Sequence, residues 1–121
     1  MKQVLIVDDS EQIRKRLAAL LTESSRIRLV GQTGDGHEAL KAVERLRPDT
    51  VILDIRLPGS SGIEVLKQIK ARYPQIQVIM LTNYDHAVYR QQCRRLGADH
   101  FLNKTREFEK IVTAIMNEPM Q

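Results

Sequence analysis

The chain has 121 residues, of which 42% are hydrophobic and 28% charged, and carries a formal net charge of +4. That length suits one domain with a substantial core of its own and leaves no room for a second. Its single cysteine, Cys93, excludes an intramolecular disulfide and a cysteine metal cluster, and no apolar run approaches the roughly 18 residues that cross a bilayer.

Met1-Lys2-Gln3 leads directly into the apolar run Val4-Leu5-Ile6-Val7 without a signal-peptide pattern, so the chain is expected in the cytosol, with no membrane partner. Lys2 to Val7 reads as a strand that ends on Asp8 and Asp9, after which Ile13, Leu17, Leu20 and Leu21 share one helical face. Arg28 to Gln32 is a more polar strand suited to a sheet edge. A second helix, with Ala39, Leu40, Val43 and Leu46 on one face, opens after Asp35-Gly36 and closes at Pro48. Thr50 to Leu53 is a short apolar strand ending on Asp54. Pro58-Gly59 and Gly62 frame the loop before a third helix with Ile63, Leu66 and Ile69, which Pro74 terminates. Gln77 to Leu81 forms the fourth strand, ending on Thr82. The helix expected from Asp85 to Leu96 has the thinnest apolar stripe (Ala87, Val88, Cys93, Leu96), so it is the element expected to move most readily. Asp99 to Leu102 precedes Lys104, and Phe108, Ile111, Val112, Ile115 and Met116 form the face of a last helix. Five such βα units, joined by right-handed crossovers, predict an α/β domain: a doubly wound, five-stranded parallel sheet of flavodoxin-like order 2-1-3-4-5 with five helices.

In that order the carboxyl ends of strands 1 and 3 are neighbours, which gathers Asp8, Asp9 and Asp54 into one crevice. For Asp8 two readings stand. Asp8 and Glu11 are at capping-box spacing, and Asp8 also lies beside the other acids. Three close carboxylates repel unless a cation or protons neutralise them, and a hard, all-oxygen donor set with room for water suits Mg2+. Magnesium in turn implies a phosphoryl ligand, for which Thr82 and Lys104 supply a hydroxyl and an ammonium.

The basic residues gather at Arg14-Lys15-Arg16 and at Arg90, Arg94 and Arg95, either as solvated helix faces or as a docking surface for an acidic partner. No DNA-reading helix-turn-helix or aromatic interleaving accompanies them, so direct nucleic-acid binding is not expected. His37, His86 and His100 form no ligand cluster by spacing.

Val7-Asp8-Asp9, Gly36-His37-Glu38-Ala39-Leu40, Leu53-Asp54-Ile55-Arg56-Leu57-Pro58-Gly59 with Gly62, Leu81-Thr82, Leu96-Gly97-Ala98-Asp99 and Lys104 together resemble the receiver domain of two-component response regulators over nearly the whole chain. The resemblance implies that Asp54 is the phosphoacceptor, and that Mg2+ is bound directly by Asp9, Asp54 and the backbone carbonyl of Arg56, and by Asp8 through water. Thr82 and Lys104 would contact the phosphoryl oxygens, with Thr82 and Phe101 acting as the switch pair and Arg56 and Tyr84 flanking the path of hydrolytic water. Two departures stand out. Thr105 follows the lysine where receivers commonly carry a proline with a cis bond, so a trans bond is expected here. Phe101 takes the place of the usual tyrosine and has no hydroxyl.

The expected function is that of a phosphoacceptor switch for a sensor histidine kinase or phosphotransfer protein, not an enzyme beyond its own phosphorylation and dephosphorylation, acting on a downstream protein of unknown identity. A homodimer is left open. The competing enzyme class, a haloacid-dehalogenase-type phosphatase, resembles Asp-x-Asp-x-Thr after the first strand, and Asp8-Asp9-Ser10-Glu11 does not match it. Residues 1–121 are expected to be one stand-alone receiver, the alternative being the N-terminal receiver part of a longer DNA-binding transcriptional regulator.

Overall fold

The computed structural model describes residues 1–117; the short tail of residues 118–121 lies outside the described residues. Elements alternate strictly: β1 (Lys2–Val7), α1 (Glu11–Thr22), β2 (Ile27–Thr33), α2 (Gly36–Leu46), β3 (Thr50–Leu53), α3 (Gly62–Arg72), β4 (Gln77–Thr82), α4 (Ala87–Arg95), β5 (His100–Asn103) and α5 (Ile111–Met116), with a 3₁₀ turn at Phe108–Lys110 leading into α5. The strands form one parallel sheet in the order β2-β1-β3-β4-β5, as the apolar runs predict.

Alternation along each strand divides the core between the two faces of the sheet. Leu5, Val7, Val51, Leu53, Val78 and Met80 pack towards α2, α3 and Cys93 of α4. Val4, Ile6, Ile52, Ile79 and Leu81 pack towards Leu17 and Leu21 of α1 and Ile111 and Ile115 of α5. Because β3 and β4 are covered on both faces, every residue in them is buried, which is why they read as continuous apolar runs. The more polar β2 lies at an edge, as expected.

Element ends differ from the sequence reading where a polar contact decides them. Helix α1 is capped by Ser10, whose hydroxyl accepts from the Ile13 amide, and not by Asp8, which lies two residues upstream. Helix α4 begins at Ala87 because residues 83–86 form a loop tied to β5, and the last helix opens with its 3₁₀ turn. Strand β2 gains one residue at either end, β4 gains Thr82, and β5 shifts by one residue to run from His100 to Asn103. No peptide bond is cis among the described residues, so Lys104-Thr105 is trans.

Candidate functional site

Register sets the position of each site residue. Val7 of β1 pairs with Leu53 of β3, so Asp8 and Asp54 each stand one step beyond paired strand ends and lie side by side. Thr82 closes β4 opposite Asn103 of β5, and the Lys104 amide donates to the Thr82 carbonyl at 3.0 Å. β1, β3 and β5 therefore deliver the residue after their last, and β4 its last residue, to one crevice at the carboxyl edge of the sheet.

The Lys104 ammonium lies between two acids, 2.6 Å from Asp54 Oδ2 and 2.7 Å from Asp8 Oδ2. All three side chains are nearly enclosed, at 11% exposure for Lys104, 5% for Asp54 and 3% for Asp8. The other oxygen of each acid is held by the backbone: Asp54 Oδ1 accepts from the Ile55 amide at 2.7 Å, and Asp8 Oδ1 from the Ser10 amide at 2.8 Å. Both carboxylates are thereby fixed with Oδ2 turned to the crevice. Asp9 is exposed at its rim, and carboxylate oxygens of Asp8, Asp9 and Asp54 lie within 4.8 Å of one another.

Burial raises the Asp8 carboxyl above its ordinary value, outweighing the hydrogen bond from Lys104 that opposes it. Burial also acts to lower Lys104, but the bonds to Asp54 and then Asp8 outweigh it and hold the ammonium above its ordinary value. The site thus carries three carboxylates against one ammonium. Such an excess of hard oxygen donors fits a small divalent cation, and among the described residues these acids are the one grouping of three or more His, Cys, Asp or Glu side chains close enough to share one.

The neighbouring loops hold this crevice open. A Cβ on Gly62 would collide with the Asp54 carbonyl oxygen, and one on Gly36 with the Ser60 carbonyl, so the loop from residue 55 to 61 sits directly against both helix starts. The Gly36 amide donates to the Pro58 carbonyl at 2.9 Å, and the Gly62 amide to the Ile55 carbonyl at 2.7 Å. Together they fix the backbone that carries Arg56. The Arg56 guanidinium stacks over the Tyr84 ring, 4.1 Å from its centroid, which joins the two bulky residues at the mouth. Thr82 is fully buried, and its hydroxyl accepts from the Tyr84 amide at 3.2 Å. Phe101 is half-buried further along β5 beneath Arg90, whose guanidinium lies 4.7 Å from the ring centroid.

Of the residues singled out in the sequence for the phosphoryl and metal site, Asp8, Asp9, Asp54 and Lys104 come together here, Thr82 ends the strand beside Lys104, and Arg56 follows Asp54 by two residues. The basic run on α1 is largely engaged: Arg14 donates to the Asp8 carbonyl at 2.6 Å, Lys15 pairs with Glu11, and Arg16 stacks over Phe108. Sequence reasoning missed Asp85, Asn103 and Arg106, which join the loops behind Thr82 and Lys104. Their only local signal is that Asn103 directly precedes Lys104.

A doubly wound parallel sheet with an acid triad and a lysine gathered at its carboxyl edge places the chain among flavodoxin-like α/β domains. Among these, the family model of the response regulator receiver domain matches residues 4–116, and the chain belongs to that family. It is 36% identical over 115 residues to the response regulator protein VraR of Staphylococcus aureus, covering 93% of this chain and 54% of that protein. The chain spans about half the length of the curated relatives it matches. Among solved structures, a LuxR-family DNA-binding response regulator from Staphylococcus aureus superposes with a TM-score of 0.90 at 28% identity, over 96% of this chain and 97% of that one. A CheX–CheY complex with beryllofluoride and magnesium from Borrelia burgdorferi gives 0.89 at 29% identity, over 95% and 87%.

Proposed function

We propose that the chain takes a phosphoryl group onto Asp54 from the phosphohistidine of a sensor histidine kinase or phosphotransfer protein, and signals by changing the surface it offers to a protein partner. The observation that carries this reading is the Lys104 ammonium, set between Asp8 and Asp54 with Thr82 on the adjacent strand. Because Asp54 Oδ1 is committed to the Ile55 amide, Oδ2 is the nucleophile. As its bond to phosphorus forms, the N–P bond of the donor breaks and the imidazole nitrogen leaves with the electron pair. Charge gathers on the equatorial oxygens in an in-line transfer, and Lys104 and Thr82 would meet it.

Asp9, Asp54 and the backbone carbonyl of Arg56 would hold Mg2+, with Asp8 acting through water. The bound cation would offset charge on the carboxylates and on the incoming phosphoryl group. The chain's own residues then bind the group, orient it and limit water at the mouth, and its only catalysis is its own phosphorylation and dephosphorylation. Phosphorylation draws Thr82 and Phe101 inward and repositions α4, the helix with the least apolar anchoring. A cytoplasmic location accords with this chemistry, and among the described residues no helix is long and apolar enough to cross a membrane. Direct nucleic-acid contact is not part of the proposal, since the cations of α1 are engaged within the domain.

Incubation with a small acyl phosphate and Mg2+ tests it. The wild-type chain should accumulate hydroxylamine-sensitive phosphate and Asp54→Asn none; equal incorporation by the variant overturns the assignment, and continuous turnover without accumulation points to a phosphatase.

A further inference from the structure

The loop from Asn83 to His86 follows Thr82 directly, and nothing apolar in it is fully buried. Arg90 of α4 reaches Asp85, and the Tyr84 ring packs against the core beneath Arg56. The remaining ties are polar and come from Asn103, Thr105 and Arg106 around Lys104. Asn103 Nδ2 donates to Asp85 Oδ2 at 3.0 Å, and Thr105 Oγ1 donates to Asn83 Oδ1 at 3.0 Å. Arg106 Nη2 adds a second donor to the same Asp85 oxygen at 2.6 Å. Asn103 is itself fixed, its own Oδ1 accepting from the Thr105 and Arg106 amides at 2.9 and 2.8 Å. The Asp85 carboxyl is held below its ordinary value, first by the Asn103 bond, so the contacts act on the anion.

We propose that Asn83 and Asp85 are positioning residues which, through Thr105, Asn103 and Arg106, fix the Thr82 arm of the site against the Lys104 arm. The inference rests on the phosphoacceptor reading above. A tetrahedral oxyanion shared by a hydroxyl and an ammonium needs a fixed separation between them, and small displacements of either weaken the joint grip. Backbone pairing ends here, with the Lys104 amide on the Thr82 carbonyl, so beyond that rung the separation is set by these side chains. Thr105, standing where receivers commonly have proline, contributes a hydroxyl that proline lacks. The acid triad is attached to β1 and β3 instead, so cation binding alone does not depend on this clasp.

Calorimetric titration of the full chain separates the two. Mg2+ alone is titrated first, then beryllofluoride as the phosphoryl mimic at saturating Mg2+. Asp85→Ala should bind beryllofluoride about five- to tenfold more weakly, and Thr105→Val about two- to threefold, the range that loss of one or two hydrogen bonds supplies. Asp85→Asn, which keeps an acceptor for Asn103, should recover most of the loss, and Mg2+ affinity should stay within about twofold throughout. Where Asp85→Ala fails to fold, Thr105→Val carries the test alone, and unchanged beryllofluoride affinity there overturns the proposal. Unchanged beryllofluoride affinity in Thr105→Val and Asp85→Ala overturns the proposal, as does a parallel fall in Mg2+ affinity. Failure of the wild-type chain itself to bind beryllofluoride overturns the phosphoacceptor reading, and the clasp falls with it.

Discussion

Asp8 shows how the site trades stability for charge. Its carboxyl is raised above the ordinary value by burial, so the folded state takes up its proton before the unfolded chain does. The favourable contribution is therefore complete below the unfolded value of 3.8 and is lost as pH rises through the raised folded one. At pH 7 without divalent cation, ionised Asp8 opposes folding even though Lys104 touches it. Asp8→Asn should raise the melting temperature in EDTA at pH 7 by about 3–5 °C, for a gain of about 1 kcal/mol, and the difference should vanish as pH approaches 4. A lower melting temperature at pH 7 would show that the Lys104 contact outweighs burial. On the proposed role of Asp54 as phosphoacceptor, Arg56 stacked on Tyr84 would set two bulky side chains beside the path of hydrolytic water. Hydrolysis needs water in line opposite the carboxylate, so the stacked pair should slow it. Replacing both with Ala should shorten the phosphorylated lifetime about tenfold, a positioning effect on the order of 1.4 kcal/mol, measured as loss of label after the donor is removed. An unchanged or longer lifetime counts against this role.

At the scale of elements, α4 departs most from the rest of the fold. Only Cys93 on it is fully enclosed, whereas α3 buries Val65, Leu66 and Ile69. The thin stripe was legible in the sequence, because apolar spacing is a local pattern. The polar substitute was not. Arg90 reads as one more surface cation, yet its guanidinium stacks over Phe101 and lies 3.8 Å from Asp85 and 3.9 Å from Glu107. Phe101 and Glu107 lie beyond the helix and Asp85 in the loop just before it, so these partners leave no periodic trace along the chain. Helix α4 is consequently held by contacts that water can replace, and it should open more often than α3. Cys93 reports this directly. It is fully buried, and burial pushes its thiol up to about 11, so at pH 8 it should react with an alkylating reagent at least about a hundredfold more slowly than an ordinary thiol. Arg90→Ala should quicken that labelling without changing the slow exchange of α3 amides. Equal labelling in both proteins would place the anchoring of α4 in its apolar contacts alone.

Across the whole molecule, the sequence revealed most where function and topology coincide. Parallel strands buried on both faces read as apolar runs, and the polar residue ending each run necessarily falls at one edge of the sheet, so Asp8, Asp54, Thr82 and Lys104 could be placed together without coordinates. The opposite edge gave no such sign. There Lys70 donates to the Ile76 carbonyl and Asp99, and Gln77 joins Thr50 to the carbonyls of Ala114 and Asn117; these long-range polar pairs support the fold while carrying no motif. The contrast bears on stability. Lys70, Asp99, Gln77 and Thr50 at that edge find their partners within the chain, whereas the acid triad at the other retains more negative charge than Lys104 neutralises. A ligand that binds only the folded state stabilises it by mass action, so the metal-free protein should be the less stable form. At a Mg2+ concentration about a hundred times its dissociation constant, the gain is about 2.7 kcal/mol, or roughly 10 °C for a domain of this size. Asp9→Ala should abolish that dependence while leaving metal-free stability nearly unchanged, because Asp9 is the exposed member of the triad. Thermal unfolding across a Mg2+ series in both proteins is the measurement. A melting temperature that rises equally with Mg2+ in both would mean that the cation acts elsewhere on the chain, and the acid triad would lose its role as the metal site.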